Sequence, residues 1–284
     1  MARPHVRISA LLAAMGAALP LVAQVPAHAS ALPVFSSCQD VRRTNPIARD
    51  GTYLLINNGN VFTAYCHNMA TTPSEYITLA RTGQDVNFSQ YTAGGASPGT
   101  NVRTAFTRLR VDPRTLTVDI GDLTFASSTG SLRHGSTTVT SMPYGAAMAC
   151  NGRADGRGNI DLRDTPFRVN DTFVTGGNVP SGSASVSARN QVVGLLGGGY
   201  CGWITSAPAM YNPFNPGPGT PHIELRCARN GVILSGDQIC VRLNNGAPVT
   251  TQVRQQGSQG RVIVQYGDRA VAVLGSDGQV RSLG

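Results

Sequence analysis

The sequence predicts a mainly β fold: a disulfide-stapled antiparallel β domain followed by a small β meander tail. Apolar residues recur with period 2 along most of the chain, and helical periodicity is almost absent. Clusters of Gly, Asn, Asp, Ser and Pro separate the alternating runs, as turns between short strands require. All six cysteines lie beyond residue 37, where a folded exported domain would use them.

Residues 1–29 read as a secretory signal peptide. Arg3, His5 and Arg7 give a basic start, Ile8 to Val25 an apolar run, and Ala27-His28-Ala29 a small-x-small cleavage site. No later stretch approaches the about 20 apolar residues of a spanning helix, so no membrane span is expected after signal removal. The expected location is secreted, extracellular.

Ser37 is placed to N-cap a short helix over Cys38–Arg43, which Pro46 ends. Thr52–Asn57 and Asn60–Cys66 alternate on either side of Asn58-Gly59, a dipeptide that favours the positive-φ turn of a two-residue β-hairpin. Tyr76–Ala80, Val102–Val111, Leu116–Ile120, Ile160–Val169 and Gln191–Leu196 read as further strands of the same domain. Pro208, Pro213, Pro216, Pro218 and Pro221, with Gly217 and Gly219, exclude a helix or central strand and mark a semi-rigid linker over 207–221. Beyond it, Ile223–Cys227, Ile239–Leu243, Val249–Val253, Arg261–Tyr266 and Ala270–Leu274 suggest a small β domain over 222–284.

Six cysteines in an exported chain read as disulfides, and they admit many connectivities. Pairing neighbours in sequence gives Cys38 with Cys66, Cys150 with Cys201 and Cys227 with Cys240. The first and last pairs each bracket a compact strand-turn unit. The last would supply the staple that a domain as small as 222–284 needs.

The formal charge is +8, and every basic residue is Arg. Arg-only, Gly-rich and Ala-rich usage points to a GC-rich bacterial genome. The arginines are scattered along the chain, without the clustering and aromatic interleaving of a nucleic-acid binder. Arg103, Arg108 and Arg110 form the densest group. Arg108 and Arg110 alternate with Leu109 and Val111, the pattern of a solvated strand face with some capacity for polyanions.

Candidate chemistry is sparse. A zinc protease helix needs His-Glu-x-x-His, with both histidines one turn apart on one metal; the chain has none. Past the signal, His67, His134 and His222 stand far apart. His222 and Glu224 would share one face of a strand, an arrangement read first as a solvated pair. Tyr200-Cys201-Gly202-Trp203 has a faint papain-like flavour, with His222 or His134 as base, but lacks the second cysteine between Gly and Trp. Asp119/Asp122 and Asp161/Asp164 are close acid pairs of the kind a glycosidase opposes, though Asp at strand ends is ordinary turn chemistry. Gly197-Gly198-Gly199 is no phosphate loop, since no Lys and Ser/Thr follow. Asn87-Phe88-Ser89 and Asn170-Asp171-Thr172 have the form of glycosylation sequons.

A run of blocks along the first domain resembles the GON domain. These are Ser37-Cys38, Asp50-Gly51-Thr52-Tyr53, Ala64-Tyr65-Cys66, Met69 and Pro73 to Leu79, then Asn87-Phe88-Ser89 with Tyr91, and Thr104 to Asp112. Asp122 to Ala126, Cys150, Gly158 to Leu162 and Gly198 to Gly202 continue the order, so the resemblance covers about residues 36–206. The opening block is also similar to the start of fibrinogen C-terminal domains. The chain departs from the family pattern in lacking extra cysteines in the middle of the domain, in having Trp203 after Gly202 where a further cysteine is expected nearby, and in a short region around Arg81–Thr100. The resemblance implies an ancillary module of the kind found at the C-terminus of secreted ADAMTS metalloproteases. From this follows an expectation of a non-catalytic protein that binds an extracellular protein or glycan, with no cofactor, no metal and no nucleic acid. The alternatives are an accessory part of a zinc metalloendopeptidase system, an unrecognised extracellular hydrolase, or a structural role in which the tail pairs edge to edge with a partner. Mass spectrometry of the exported protein should find a mature chain lacking residues 1–29; a secreted chain that keeps Arg3 and Arg7 would exclude the signal reading.

Overall fold

Asn58 and Gly59 adopt φ of 46° and 76°, the mirror-image turn that lets two right-twisted strands run back on each other. That turn fixes the register Gly51↔Cys66 through Asn57↔Asn60. The computed structural model describes residues 35–93, 101–207, 222–227, 239–242, 249–256, 259–266, 269–274 and 279–280. The expected signal peptide and nearly all of the Pro/Gly-rich linker lie outside the described residues.

The helix α1 spans Cys38–Thr44, with the Ser37 hydroxyl accepting from the Asp40 N–H as N-cap. In chain order the strands are β1 (Gly51–Asn57), β2 (Asn60–His67), β3 (Ser74–Thr78), β4 (Phe88–Thr92), β5 (Asn101–Phe106), β6 (Arg108–Asp112), β7 (Thr117–Asp119), β8 (Ala126–Thr129), β9 (Leu132–His134), β10 (Thr137–Val139) and β11 (Ala147–Ala149). They continue as β12 (Gly156–Asp161), β13 (Phe167–Val169), β14 (Phe173–Gly176), β15 (Ser181–Ser187), β16 (Val192–Gly198), β17 (Gly202–Ser206), β18 (His222–Cys227), β19 (Cys240–Arg242), β20 (Val249–Gln256), β21 (Gln259–Tyr266) and β22 (Arg269–Leu274).

Two sheets hold the first domain. One runs β1-β2-β3-β6-β7-β18-β13, with β19 added to β2; the other runs β14-β17-β11-β4-β12-β16-β15, with β5 and β8 attached through β4. Leu55, Phe62, Ile77, Leu109, Val118 and Phe167 from the first sheet share one core with Phe106, Ile160, Val193 and Ile204 from the second. Two apolar runs that read as single strands each serve both sheets. Val102–Val111 breaks at Thr107, whose N–H donates to the Phe125 carbonyl, so that β5 joins the second sheet and β6 the first. Ile160–Val169 likewise divides into β12 and β13, across a turn in which the Thr165 hydroxyl donates to the Leu162 carbonyl.

The expected division at the linker needs correction in two places. β18 lies between β7 and β13 and buries Ile223 and Leu225 in the shared core. β19 pairs with Asn60–Phe62 of β2. These residues alternate apolar and polar, and a strand of that kind needs an apolar sheet face to lie on; the first sheet provides it. Only β20, β21 and β22 form an antiparallel meander of their own. The three expected disulfides are present: Cys38–Cys66, Cys150–Cys201 and Cys227–Cys240, with no free cysteine among the described residues. The third ties β18 to β19, and so one end of the first sheet back to β2.

Asn87 is fully buried and sits in the left-handed region, with φ 53°. Its amide donates to the carbonyls of Arg81 and Asp161, both at 2.8 Å. Its Oδ1 accepts from the Tyr144 hydroxyl at 2.7 Å and the Asp161 N–H at 2.8 Å. Its own N–H donates to Asn159 Oδ1, and its carbonyl accepts from Phe106 N–H. Removing that side chain strands several buried polar groups, each costing about 1–3 kcal/mol. Asn87→Ala should therefore lower stability by about 3 kcal/mol or more. The readout is the urea midpoint, and an unchanged midpoint would show the network to be dispensable.

Candidate functional site

Alternation sends Phe62, Ala64 and Cys66 of β2 inward and turns Tyr65 and His67 outward. On β6 it buries Leu109 and Val111 and turns out Arg108 and Arg110. Register then lines these residues up across three strands: Tyr65 opposite Tyr76, Tyr76 opposite Arg110, and Thr78 opposite Arg108. The loop after β7 folds over the row and adds Asp122 and Phe125.

The resulting face is tightly organised. The Arg108 guanidinium lies 3.9 Å from the Tyr65 ring centroid and 4.8 Å from that of Phe125, while its Nε donates to Thr78 Oγ1 at 3.2 Å. Phe125 meets Tyr76 edge-on at 4.8 Å and His67 at 5.0 Å. The Tyr76 hydroxyl donates to Asp122 at 3.2 Å, and Arg110 approaches the same carboxylate at 3.4 Å. At the far end the His67 ring is 2.8 Å from Asp50, which also accepts from the N–H groups of Asn68 and Met69. Partial burial raises the Asp50 carboxyl, but those hydrogen bonds and His67 outweigh it and hold it below its usual range. Cation–π stacking and edge-on aromatic pairs of this kind hold side chains in place at little further cost in freedom.

Arg110 connects this face to a groove of about 660 Å³ lined by Glu75, Asp112, Arg114, Asp119 and His222, among others. A neighbouring groove of about 900 Å³ shares Asp112, Arg114 and His222 and adds Arg168 and Glu224. Both are polar and of mixed charge, a surface for binding charged groups more than for enclosing an apolar ligand.

The residues singled out in the sequence fall in different places. His222 and Glu224 do share a strand face, on β18, but Glu224 accepts from Asn170 at 3.0 Å. Cys201 is bonded to Cys150, so it offers no nucleophilic thiolate in this state. Asp161 is buried and held by Arg163; burial raises its carboxyl, but the Arg163 hydrogen bonds and charge outweigh it and leave it below its usual range. Asp164 pairs with Arg81 at 2.6 Å, and Asp122 is the partner of Tyr76 and Arg110. Asn87, the first sequon asparagine, is inaccessible in the folded chain. The expected solvated character of the Arg108 face is corrected too, since Arg108 is half-buried and stacked on Tyr65. Sequence reasoning missed Tyr65, His67, Tyr76 and Phe125 as one cluster. Alternation with neighbouring core positions could have placed the first three outward; Phe125 sits on a loop, which no periodicity locates.

Comparison with known proteins was made on this geometry. The GON domain family matches residues 35–97 and 96–211. A human protein, A disintegrin and metalloproteinase with thrombospondin motifs 20, is 25% identical over 213 residues, covering 63% of this chain. The chain spans 10% of that relative's length. No solved structure matches.

Beside Glu224, burial raises the Asp171 carboxyl and the Glu224 charge adds to the rise, bringing it from 3.8 to about 6. Asp171 accepts from the Glu224 N–H at 2.8 Å, which the neutral acid still permits. The folded chain thus keeps a proton that the unfolded chain releases, so this group's stabilisation is full below about pH 4 and lost as pH rises through about 6. Asp50 and Asp161 act in the opposite sense, so the comparison is between wild type and Asp171→Asn. Subtracting the variant's melting-temperature profile from wild type should leave a fall between pH 4 and 6; parallel profiles would refute the assignment.

Proposed function

This chain belongs to the GON domain family, and we propose that it is a secreted, non-catalytic binding module whose extracellular ligand, a protein or a glycan, docks on the Tyr65–Arg108–Phe125 face. The carrying observation is the Arg108 guanidinium stacked on Tyr65 and Phe125, with Tyr76 and Arg110 one strand position away. Arg and Tyr are the residue types that dominate binding energy at protein interfaces. A preorganised Arg loses little freedom when a partner arrives, which favours affinity over what a mobile surface chain gives. Aromatic edges beside charged donors suit sugar rings with acidic groups equally well. The formal charge of +8, less the two contributed by Arg3 and Arg7 of the expected signal, leaves +6, which favours an acidic partner of either kind.

The non-catalytic part of the reading is supported by the fate of the candidate acids and thiols. Asp161, Asp164 and Asp122 are engaged by Arg163, Arg81 and Arg110, and the cysteines of the described residues are in disulfides. Relationship to a protein named a metalloproteinase supports a second reading, in which this module serves as an accessory to a zinc metalloendopeptidase.

Arrays of extracellular proteins and acidic glycans test the reading. Wild type should bind at least one class, and Tyr65→Ala with Arg108→Ala should weaken that binding by about 30-fold or more. Arg157→Ala, exposed on β12, is the control that should leave it unchanged. Binding that survives the face variants, or none above background, would sink the proposal.

A further inference from the structure

Three residues distant in sequence meet beside the second disulfide. His134 ends β9, Cys150 follows β11, and Cys201 precedes β17. The imidazole and both sulfurs lie within 4.8 Å of one another, with Cys150 Sγ 3.9 Å from His134 Nδ1. The Tyr91 hydroxyl sits between them, 2.8 Å from Cys150 Sγ and 3.0 Å from His134 Nδ1. Leu132, Met142 and Met148 form an apolar wall behind, with Trp203 packed against it.

We propose that reductive opening of Cys150–Cys201 turns this corner into a Cys2His binding site for Zn2+. Two thiolates and one imidazole are a zinc donor set, and three protein ligands leave a fourth position open to water. At Zn–S of about 2.3 Å and Zn–N of about 2.0–2.1 Å, tetrahedral ligand atoms stand roughly 3.5–3.8 Å apart. The Cys150–His134 separation already approaches that value. The sulfurs must part from bonding distance to this separation, which side-chain rotation at Cys150 and Cys201 would begin.

The backbone of the corner is held independently of the disulfide. Ala149 pairs with Gly202 in the β11–β17 ladder, the Cys150 N–H donates to the Thr92 carbonyl, and the Tyr200 N–H donates to the Asn151 carbonyl. Tyr200 and Cys201 both adopt positive φ, 47° and 66°, a turn that holds the Cys201 side chain against Cys150. Opening the bond therefore leaves two thiols facing each other and the imidazole. The Tyr91 hydroxyl, 2.8 Å from Cys150 Sγ, can donate to that thiolate once the metal takes the His134 nitrogen, and so acts as a positioning group for Cys150.

The chemistry balances simply. A dithiol supplies two electrons and its two protons and leaves as its disulfide; a phosphine supplies two electrons and leaves as its oxide, water giving the oxygen and the two protons. In either case the S–S bond breaks to two thiols. Zn2+ then displaces both thiol protons. Access favours this bond over the others, since Cys150 and Cys201 are both partly exposed whereas Cys38, Cys66 and Cys240 are fully buried.

The test uses the full exported chain, opened by limiting phosphine, with peptide mapping to locate the freed thiols. Co2+ is the probe. The reduced protein should develop the visible bands of tetrahedral cobalt thiolate with one metal per chain, and Zn2+ should bleach them. His134→Ala should abolish the bands while far-UV circular dichroism stays native, and Tyr91→Phe should weaken binding about 10-fold. Metal binding to the disulfide form, equal binding by His134→Ala, or a natively folded reduced chain that takes up no Co2+ would each overturn the assignment. So would preferential opening of Cys227–Cys240.

Discussion

One buried amide ties two strands of the second sheet to the loops beside the shared core. Asn87 hydrogen-bonds to the loop at Arg81, to β12 at Asn159 and Asp161, to Tyr144 and to the end of β5 at Phe106. A carboxylate in that place would lack the two donors, and an aliphatic side chain would lack everything, so the geometry admits little but an amide. Phe106 and Tyr144, which Asn87 positions, stack edge-on at 5.0 Å in the shared core. From there the constraint passes outward. Phe106 and Tyr144 pack in the core that both sheets share, and Thr107, next to Phe106, donates to the Phe125 carbonyl beside the aromatic face.

How much of this was legible depended on whether a residue's environment is set by its own strand. The hairpin at Asn58-Gly59, the Ser37 cap and the alternation of Arg108 and Arg110 with Leu109 and Val111 on β6 follow from local rules, and the sequence predicted them. The split of Val102–Val111 between two sheets was missed although the buried phase changes across it: Val102, Thr104 and Phe106 point inward on β5, Leu109 and Val111 on β6, and the shift falls at Thr107, whose N–H donates to the Phe125 carbonyl. β15 was missed for a different reason: Ser181–Ser187 is exposed throughout and carries no apolar alternation. β4 and β11 were missed because they are buried on nearly both sides, which erases period 2. The placement of β18 in the first sheet needed a long-range partner that no local pattern names.

The same distinction explains the candidate site. Arg108 and Arg110 were visible as outward residues on a strand. What changes their meaning is Phe125, brought from a loop to within 4.8 Å of the Arg108 guanidinium. A solvated Arg is a mobile point charge whose contribution salt screens. The same Arg between two rings is a fixed planar surface with its charge at a defined place.

Chemistry that looks available in a sequence can be consumed in a structure, and here the consumption runs in one direction. The acids that might have opposed each other across a substrate are turned to arginines: Asp161 to Arg163, Asp164 to Arg81, Asp122 to Arg110. Burial raises the Asp161 carboxyl, but the Arg163 hydrogen bonds and charge outweigh it and hold it below its usual range, which suits it poorly to donate a proton. Arg108 follows the other course, since its nearest partners are rings and a hydroxyl, so its positive charge is not neutralised by contact. Carboxylates engaged by arginines beside an Arg108 guanidinium stacked on two aromatic rings are the arrangement on which the proposed recognition role rests.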